Sequence, residues 1–76
     1  MDRAREAIRA REAIRARVSL VLLMYEFKDE AEEDMVVELV TDMLMDHGSE
    51  RDVRMLLSQW LEPFQAIDAA RYLCKL

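Results

Sequence analysis

The sequence predicts an all-α fold, a compact four-helix bundle with an elongated first helix, and three observations lead to it. Turn-forming residues are scarce, with one glycine and one proline in 76 residues, whereas many short strands would need a turn at each end. Residues 4–15 repeat the six-residue unit A-R-E-A-I-R unchanged, and its residues are strong helix formers. Elsewhere apolar residues recur three and four positions apart, the spacing of an amphipathic helix.

Helix 1 is predicted from Asp2 to Phe27. At about 100° per residue, its core-facing stripe consists of Ala4, Ala7, Ile14, Val18, Val21, Leu22 and Tyr25, with Ile8 and Ala10 at the margins. Arg11 falls within this stripe, so we expect its guanidinium to reach water or a carboxylate partner. Residues 18–24 are apolar on nearly every side, which predicts deep burial. A helix of that length would be about 39 Å long, so its amino-terminal half is expected to project.

An acidic link and a second helix follow. Residues 28–34 read K-D-E-A-E-E-D, and their carboxylates suit the first turn of a helix because they interact favourably with its dipole. Helix 2 is predicted from Ala31 or Glu32 to Asp46. We expect Gly48 to end it in the left-handed conformation, directly after His47.

Two shorter helices complete the bundle. Ser49 is expected to cap helix 3, with Asp52 in the capping-box position, and Pro63 is expected to begin helix 4. The predicted core-facing residues of helices 2 to 4 are Met35, Val36, Leu39, Val40, Met43, Leu44, Val53, Leu56, Leu57, Trp60, Leu61, Phe64, Ile67, Ala70 or the stem of Arg71, Leu73 and Cys74.

Charge divides the chain into two parts. Residues 1–17 contain six arginines against three acidic residues, a balance of +3, while the whole chain carries −5. We therefore divide the single predicted domain, residues 1–76, into an Arg- and Ala-rich helix extension, residues 1–17, and a bundle body, residues 18–76. The asymmetry is typical either of a basic arm for nucleic acid or of attraction between oppositely charged parts of one or two chains.

Composition and length argue against membrane and secreted classes. The longest apolar run, residues 18–25, is too short to span a bilayer, and the first residues lack the hydrophobic region of a secretory signal. The single cysteine, Cys74, cannot form an intrachain disulfide, so a reducing setting is expected. We expect a soluble intracellular chain with no membrane partner.

The chain has no catalytic signature. His47 is the only histidine, and its position at a helix end predicts a capping role, while Cys74 is predicted to be a small buried hydrophobe. One histidine and one distant cysteine do not supply the ligands of a zinc site, and the acidic link lacks the glycine and spacing of a calcium loop. We therefore predict no enzymatic activity, catalytic residue, metal, cofactor or small-molecule substrate.

Methionine content suggests a protein-binding surface. The chain has six methionines, whose flexible thioethers adapt to varied partners. Three match core-facing stripes and are predicted core residues: Met35, Met43 and Met55. Two fall away from those stripes, and together with residues of helix 1 they make the predicted protein-binding set: Ala7, Ile8, Ile14, Met24 and Met45.

Four segments resemble the PWI and PWI-like helical domains of nuclear RNA-processing proteins. They are R-A-R-V-S-L-V-L-L-M-Y-E-F, D-M-V-V-E-L-V-T-D-M-L, V-R-M-L-L-S-Q-W-L and A-I-D-A-A-R-Y-L-C-K-L, within residues 14–76. Trp60 is followed by Leu61, so the Pro-Trp-Ile signature itself is absent. The resemblance implies a compact nuclear bundle that binds proteins or, with a basic flank, nucleic acid during messenger RNA maturation. By position, the flank here is Arg3, Arg5, Arg9, Arg15 and Arg17.

Three hypotheses on function stay open. The leading one is a non-enzymatic helical interaction module that presents helix 1 to another protein or to its own copy, because the apolar stripe continues past the expected globule. The second is a PWI-like domain that binds nucleic acid weakly and without sequence preference, since no aromatic residue interleaves the arginines. The third is a designed or selected bundle without a biological task, because an unchanged repeat indicates recent duplication or human design.

Overall fold

The computed structural model describes residues 2–75, so Met1 and Leu76, the ends of the predicted domain, lie outside it. Over the described range the chain forms four α-helices, α1 (Asp2–Leu22), α2 (Glu30–Met45), α3 (Glu50–Leu57) and α4 (Pro63–Cys74), and no strand. α1 packs against α2 and α4, and α3 packs against α4 and α2. The described part measures 41 × 25 × 16 Å. The predicted all-α four-helix fold with a long first helix is confirmed.

The first helix ends five residues earlier than predicted, at Leu22 rather than Phe27. Its last turn tightens, because the backbone N–H of Tyr25 donates to the carbonyl oxygen of Leu22 at 3.1 Å, a spacing of three residues. On a continued helix Phe27 would point about 180° away from Val18. By leaving the helix, the chain lets both Tyr25 and Phe27 pack against the core.

α2 begins at a polar cap. The side chain of Asp29 accepts a hydrogen bond at 2.8 Å from the backbone N–H of Glu32, which satisfies one of the free donors at the start of a helix. The helix therefore starts at Glu30, slightly before the predicted Ala31 or Glu32, and it ends at Met45, one residue before the predicted Asp46.

The end of α2 corrects the role expected of Gly48. The left-handed residue is His47, with φ of 61°, and no glycine of the described chain has a positive φ. The N–H of His47 donates to the Leu44 carbonyl and that of Gly48 to the Met43 carbonyl, the pattern of a Schellman motif. Gly48 is needed for a different reason, since a Cβ there would lie 2.9 Å from the Met43 carbonyl oxygen.

The predicted starts of α3 and α4 are confirmed. The Ser49 hydroxyl accepts from the Asp52 N–H at 3.2 Å, and the Asp52 carboxylate accepts from the Ser49 N–H at 3.1 Å, which completes the capping box. Pro63 is the first residue of α4. The Gln65 side chain accepts from the N–H of Glu62, the residue before that helix, at 3.2 Å.

The core lies where the four helices meet. Its buried residues are Val18, Val21, Leu22, Val36, Val37, Val40, Val53, Leu57, Leu61, Ala66, Ala69, Ala70 and Leu73. Thr41 is buried among them, and its hydroxyl donates to the Val37 carbonyl at 2.6 Å. The three alanines of α4 are small, which allows the neighbouring helices to approach closely.

Several residues predicted to face the core are exposed instead: Ala4, Ala7, Met35, Leu39, Met55, Phe64 and Cys74. The prediction that residues 18–24 are buried on nearly every side is also wrong, because Leu20, Leu23 and Met24 are about two thirds exposed, at 67%, 65% and 67%. Only one side of this segment meets the bundle. A chain of this size has too small an interior to take every apolar residue.

No helix within residues 2–75 combines the length and the apolar character that crossing a bilayer requires.

Candidate interaction surface on helix α1

Two arginines of α1 form ion pairs with carboxylates of α2. Arg11 donates to Glu38 at 2.7 Å and to Asp42 at 2.5 Å, and Arg15 forms an ion pair with Glu38 at 2.5 Å. The partners run in opposite order along the two helices, as in an antiparallel pair. The expectation that Arg11 finds a carboxylate partner is confirmed.

The contact stabilises the charged form of Arg11. Hydrogen bonds to Asp42 and then to Glu38 raise the pKa of Arg11 above its usual value. Its guanidinium can donate to two acceptors at once because the fork is planar. The face of α1 that carries Arg11 is therefore held against α2, and the opposite face is directed away from the bundle.

That opposite face carries a second apolar stripe, the outer stripe. It consists of Ala13, Ala16, Leu20 and Leu23, and all four are exposed. The residues are spaced three and four apart, which places them on one side of a helix. Leu23 follows the last residue of α1, but its N–H still donates to the Ser19 carbonyl at 3.0 Å, so it continues the same helical path. Met24 adjoins Leu20 at the spacing of four.

The predicted protein-binding residues do not form one surface with the outer stripe. Ala7 and Ile8 are exposed on the projecting part of α1, Ile14 packs against the core, and Met45 is half-buried at the end of α2. Met24 alone lies beside the outer stripe.

The predicted nucleic-acid-binding arginines occupy two environments. Arg3, Arg5 and Arg9 are exposed on the projecting segment, residues 2–10, every residue of which is exposed. Arg15 is engaged with Glu38. Arg17 is half-buried and lines an open groove at the carboxyl ends of α2 and α4. The part of the first helix that projects is thus shorter than the predicted extension, because contact with α2 begins at Arg11.

The remaining chemically reactive groups lie apart from the outer stripe. His47 and Cys74 line the same open groove as Arg17. Cys74 is exposed rather than buried as predicted. Partial desolvation of its thiol by neighbouring atoms, followed by the charge of Glu50, still raises the pKa of Cys74. A raised pKa makes the thiol less nucleophilic. Within residues 2–75 no three histidine, cysteine or acidic side chains are grouped to hold a metal ion.

The structure thus defines a small all-α domain whose distinctive exposed feature is one face of its first helix. Comparison of the chain with protein-family models, curated proteins and solved structures gave no match.

The sequence pattern alone does not identify the outer stripe as a surface. Its spacing is as regular as that of the core-facing stripe, so periodicity marked both sides of the segment as apolar. The signal that separates them is Arg11. An arginine on one side, matched by Glu38 and Asp42 four residues apart on α2, indicates which face is held against a neighbouring helix.

Proposed function

We propose that this chain is a non-enzymatic helical interaction module that binds another helix, from a partner protein or from a second copy, through the outer stripe of α1. The observation that carries the proposal is the exposure of Leu20 and Leu23, each about two thirds accessible, on the side of α1 that faces away from the bundle. Contiguous exposed apolar residues on a soluble domain mark interaction sites.

The composition of the stripe suits a helix as the partner. Ala13 and Ala16 are small and allow a second backbone to come close, while Leu20 and Leu23 supply apolar bulk. The spacing of three, four and three residues from Leu23 back to Ala13 is that of a coiled-coil seam.

The length of α1 provides enough surface for a specific contact. The helix has 21 residues and is therefore about 32 Å long. A stable interface buries roughly 800 Å² on each partner, which is more than the outer stripe alone offers. The projecting segment, residues 2–10, extends the same helix and would contribute the remaining contact area.

Introducing a positive charge into the outer stripe tests the proposal. Leu20→Lys and Leu23→Lys are compared with the unmodified chain by sedimentation equilibrium over micromolar to millimolar concentrations. Met55→Lys, an equally conspicuous exposed apolar residue on α3, is the matched control. Circular dichroism of each variant establishes that the bundle is folded.

We expect the unmodified chain and the Met55→Lys control to associate with rising concentration and both leucine variants to remain monomeric. If the unmodified chain is monomeric throughout, a partner helix from another protein is required. In that case a library of amphipathic helical peptides is screened, and a bound peptide must be lost with Leu20→Lys. Equal binding by the variant and the control would refute the proposal.

A second candidate function is weak, sequence-neutral binding of nucleic acid by the projecting segment, as in a nuclear PWI-like domain. It is favoured by the exposure of Arg3, Arg5 and Arg9, which leaves these side chains accessible to phosphates. Deleting residues 4–9 removes one copy of the repeat and leaves the docked copy intact. Fluorescence titration of a labelled oligonucleotide should then show weaker binding at low salt. No binding by the full chain at low salt would exclude this function.

A further inference from the structure

A small cleft lies between α3 and α4, away from the outer stripe. Its walls are formed by Glu50, Arg51, Arg54, Ile67 and Arg71, and its volume is about 110 Å³. A more open groove continues from it along the last turn of α4 and shares Glu50 and Arg71 with it. We call the two together the α3–α4 cleft.

The cationic side chains of residues 50–75 are gathered at that cleft. Residues 50–75 contain four cationic side chains, and all of them line the α3–α4 cleft: Arg51, Arg54, Arg71 and Lys75. Glu50 is the one acidic residue of the range 50–75 that lines it. The positive charge is therefore concentrated in a chain whose net charge is −5.

The arginines of the cleft are not neutralised by neighbours. The ion pairs among residues 2–75 all involve Arg11 or Arg15, and no side-chain hydrogen bond within that range uses the guanidinium of Arg51, Arg54 or Arg71 as donor. Three guanidinium groups held around one cleft repel each other in the absence of an anion. An anion with several acceptor oxygens would relieve that repulsion and accept several donors at once.

We propose that the α3–α4 cleft binds the phosphate of a phosphorylated serine or threonine side chain in a partner peptide. A phosphomonoester carries nearly two negative charges and three acceptor oxygens at neutral pH, and clusters of arginines recognise such groups. Arg54 and Arg71 face the phosphate from opposite walls, Arg51 adds a third donor, and Ile67 provides an apolar wall for the adjoining peptide carbon atoms.

The charge of the whole chain favours this ligand over a nucleic acid. A phosphodiester strand carries one negative charge on each of many phosphates, and most of them would lie near a chain that is itself negative. A single phosphomonoester concentrates its charge within the cleft, where the cations are. Glu50 opposes any anion there, so the cleft is expected to require a strongly charged group.

Nuclear magnetic resonance titration of the ¹⁵N-labelled chain tests the proposal. The probe is a short glycine-serine peptide with one phosphoserine, and it is compared with the same peptide carrying serine or glutamate at that position and with a thymidine oligonucleotide. Arg54→Gln and Arg71→Gln remove donors of the cleft. Lys28→Gln makes the same change of charge at an exposed position before α2 and serves as the matched control.

We expect saturable shifts at residues of α3 and α4 with the phosphoserine peptide alone. Each cleft variant should weaken binding about tenfold, the loss of one charge-assisted contact, whereas Lys28→Gln should not change it. Glu50→Gln should strengthen binding several-fold, and Arg71→Lys should retain part of the affinity because it keeps the charge but not the fork.

Other results would overturn the proposal. These are the absence of saturable shifts, equal binding of the serine or glutamate peptide, shifts confined to α1, and tighter binding of the oligonucleotide at the same residues. The last result would identify the cleft as a site for a nucleic-acid strand. None of these outcomes depends on whether α1 associates through the outer stripe, so the two proposals fail separately.

Discussion

Replacing His47 by glycine should stabilise the fold, because His47 is held in the left-handed conformation with φ of 61°. A residue with a Cβ loses roughly 1–2 kcal/mol in this conformation, whereas glycine adopts it freely but adds about 0.5–1 kcal/mol of entropy to the unfolded chain. Taken at the middle of both ranges, the net gain is about 0.75 kcal/mol. For a domain of this size the gain corresponds to a rise in Tm of roughly 3–6 °C, measured by thermal denaturation followed by circular dichroism.

Replacing the neighbouring glycine by alanine should destabilise the same helix end. In Gly48→Ala the new Cβ would lie 2.5 Å from the Cγ of Met43 and 2.9 Å from the Met43 carbonyl oxygen. The methionine side chain can turn aside, but the carbonyl accepts the Gly48 N–H at 2.8 Å and cannot move without loss of that bond. We expect a destabilisation of about 1–3 kcal/mol. A Tm that falls in His47→Gly, or that is unchanged in Gly48→Ala, would refute this account of the helix end.

Three further predictions concern the core and two titrating groups. Leu57→Ala, at a fully buried position, should lower the free energy of unfolding by about 2–5 kcal/mol in urea titration, and a smaller loss would mean that the core collapses around the site. Burial, and then the charge of Asp68, raise the pKa of Tyr25 above 10.0, so the unfolded chain releases this proton first as pH rises. The free energy of unfolding should therefore fall as pH rises past 10.0, and it should fall less steeply in Tyr25→Phe. Equal slopes for the variant and the unmodified chain would contradict this prediction. Glu50 contributes to the raised pKa of Cys74. Glu50→Gln should therefore speed the reaction of the thiol with an alkylating dye at mildly alkaline pH. An unchanged rate would show that partial desolvation alone raises this pKa.

Helix starts were predictable from sequence because their chemistry is local. Ser49 and Asp52 satisfy each other's backbone N–H groups three residues apart, and Pro63 has no N–H to leave unsatisfied at the first position of α4. Neither feature depends on the rest of the molecule. The end of α1 does depend on it, because Phe27 packs against a core that all four helices form together.

Burial was less predictable than helix position. Phe64 is 80% exposed although it is large and apolar, while the small residues Ala66 and Ala69 of the same helix are buried. Periodicity shows that a helix has an apolar side but not how wide a sector its neighbours cover. On α4 the neighbouring helices pack closely against the side that carries the alanines. Phe64 lies outside the sector that they cover.

The charged surfaces were also only partly predictable from the sequence. Charge totals indicated a basic first segment and an acidic remainder, but they did not show that Arg51, Arg54 and Arg71 share one cleft. These arginines come from two helices that are separated along the chain and meet only in the fold. Sequence patterns within one helix do not reveal a site whose walls belong to two.

The two copies of the repeat have identical sequences and different environments. In the second copy, residues 10–15, Arg11 and Arg15 bind carboxylates of α2 and Ile14 packs against the core. In the first copy, residues 4–9, the matching arginines and isoleucine are exposed, because α2 ends before it reaches them. Only the second copy of the repeat therefore docks α1 against α2 and the core. Residues 4–9 make no ion pair within the described part of the chain. Their arginines and isoleucine could make the contacts that the second copy makes only with a surface from another molecule.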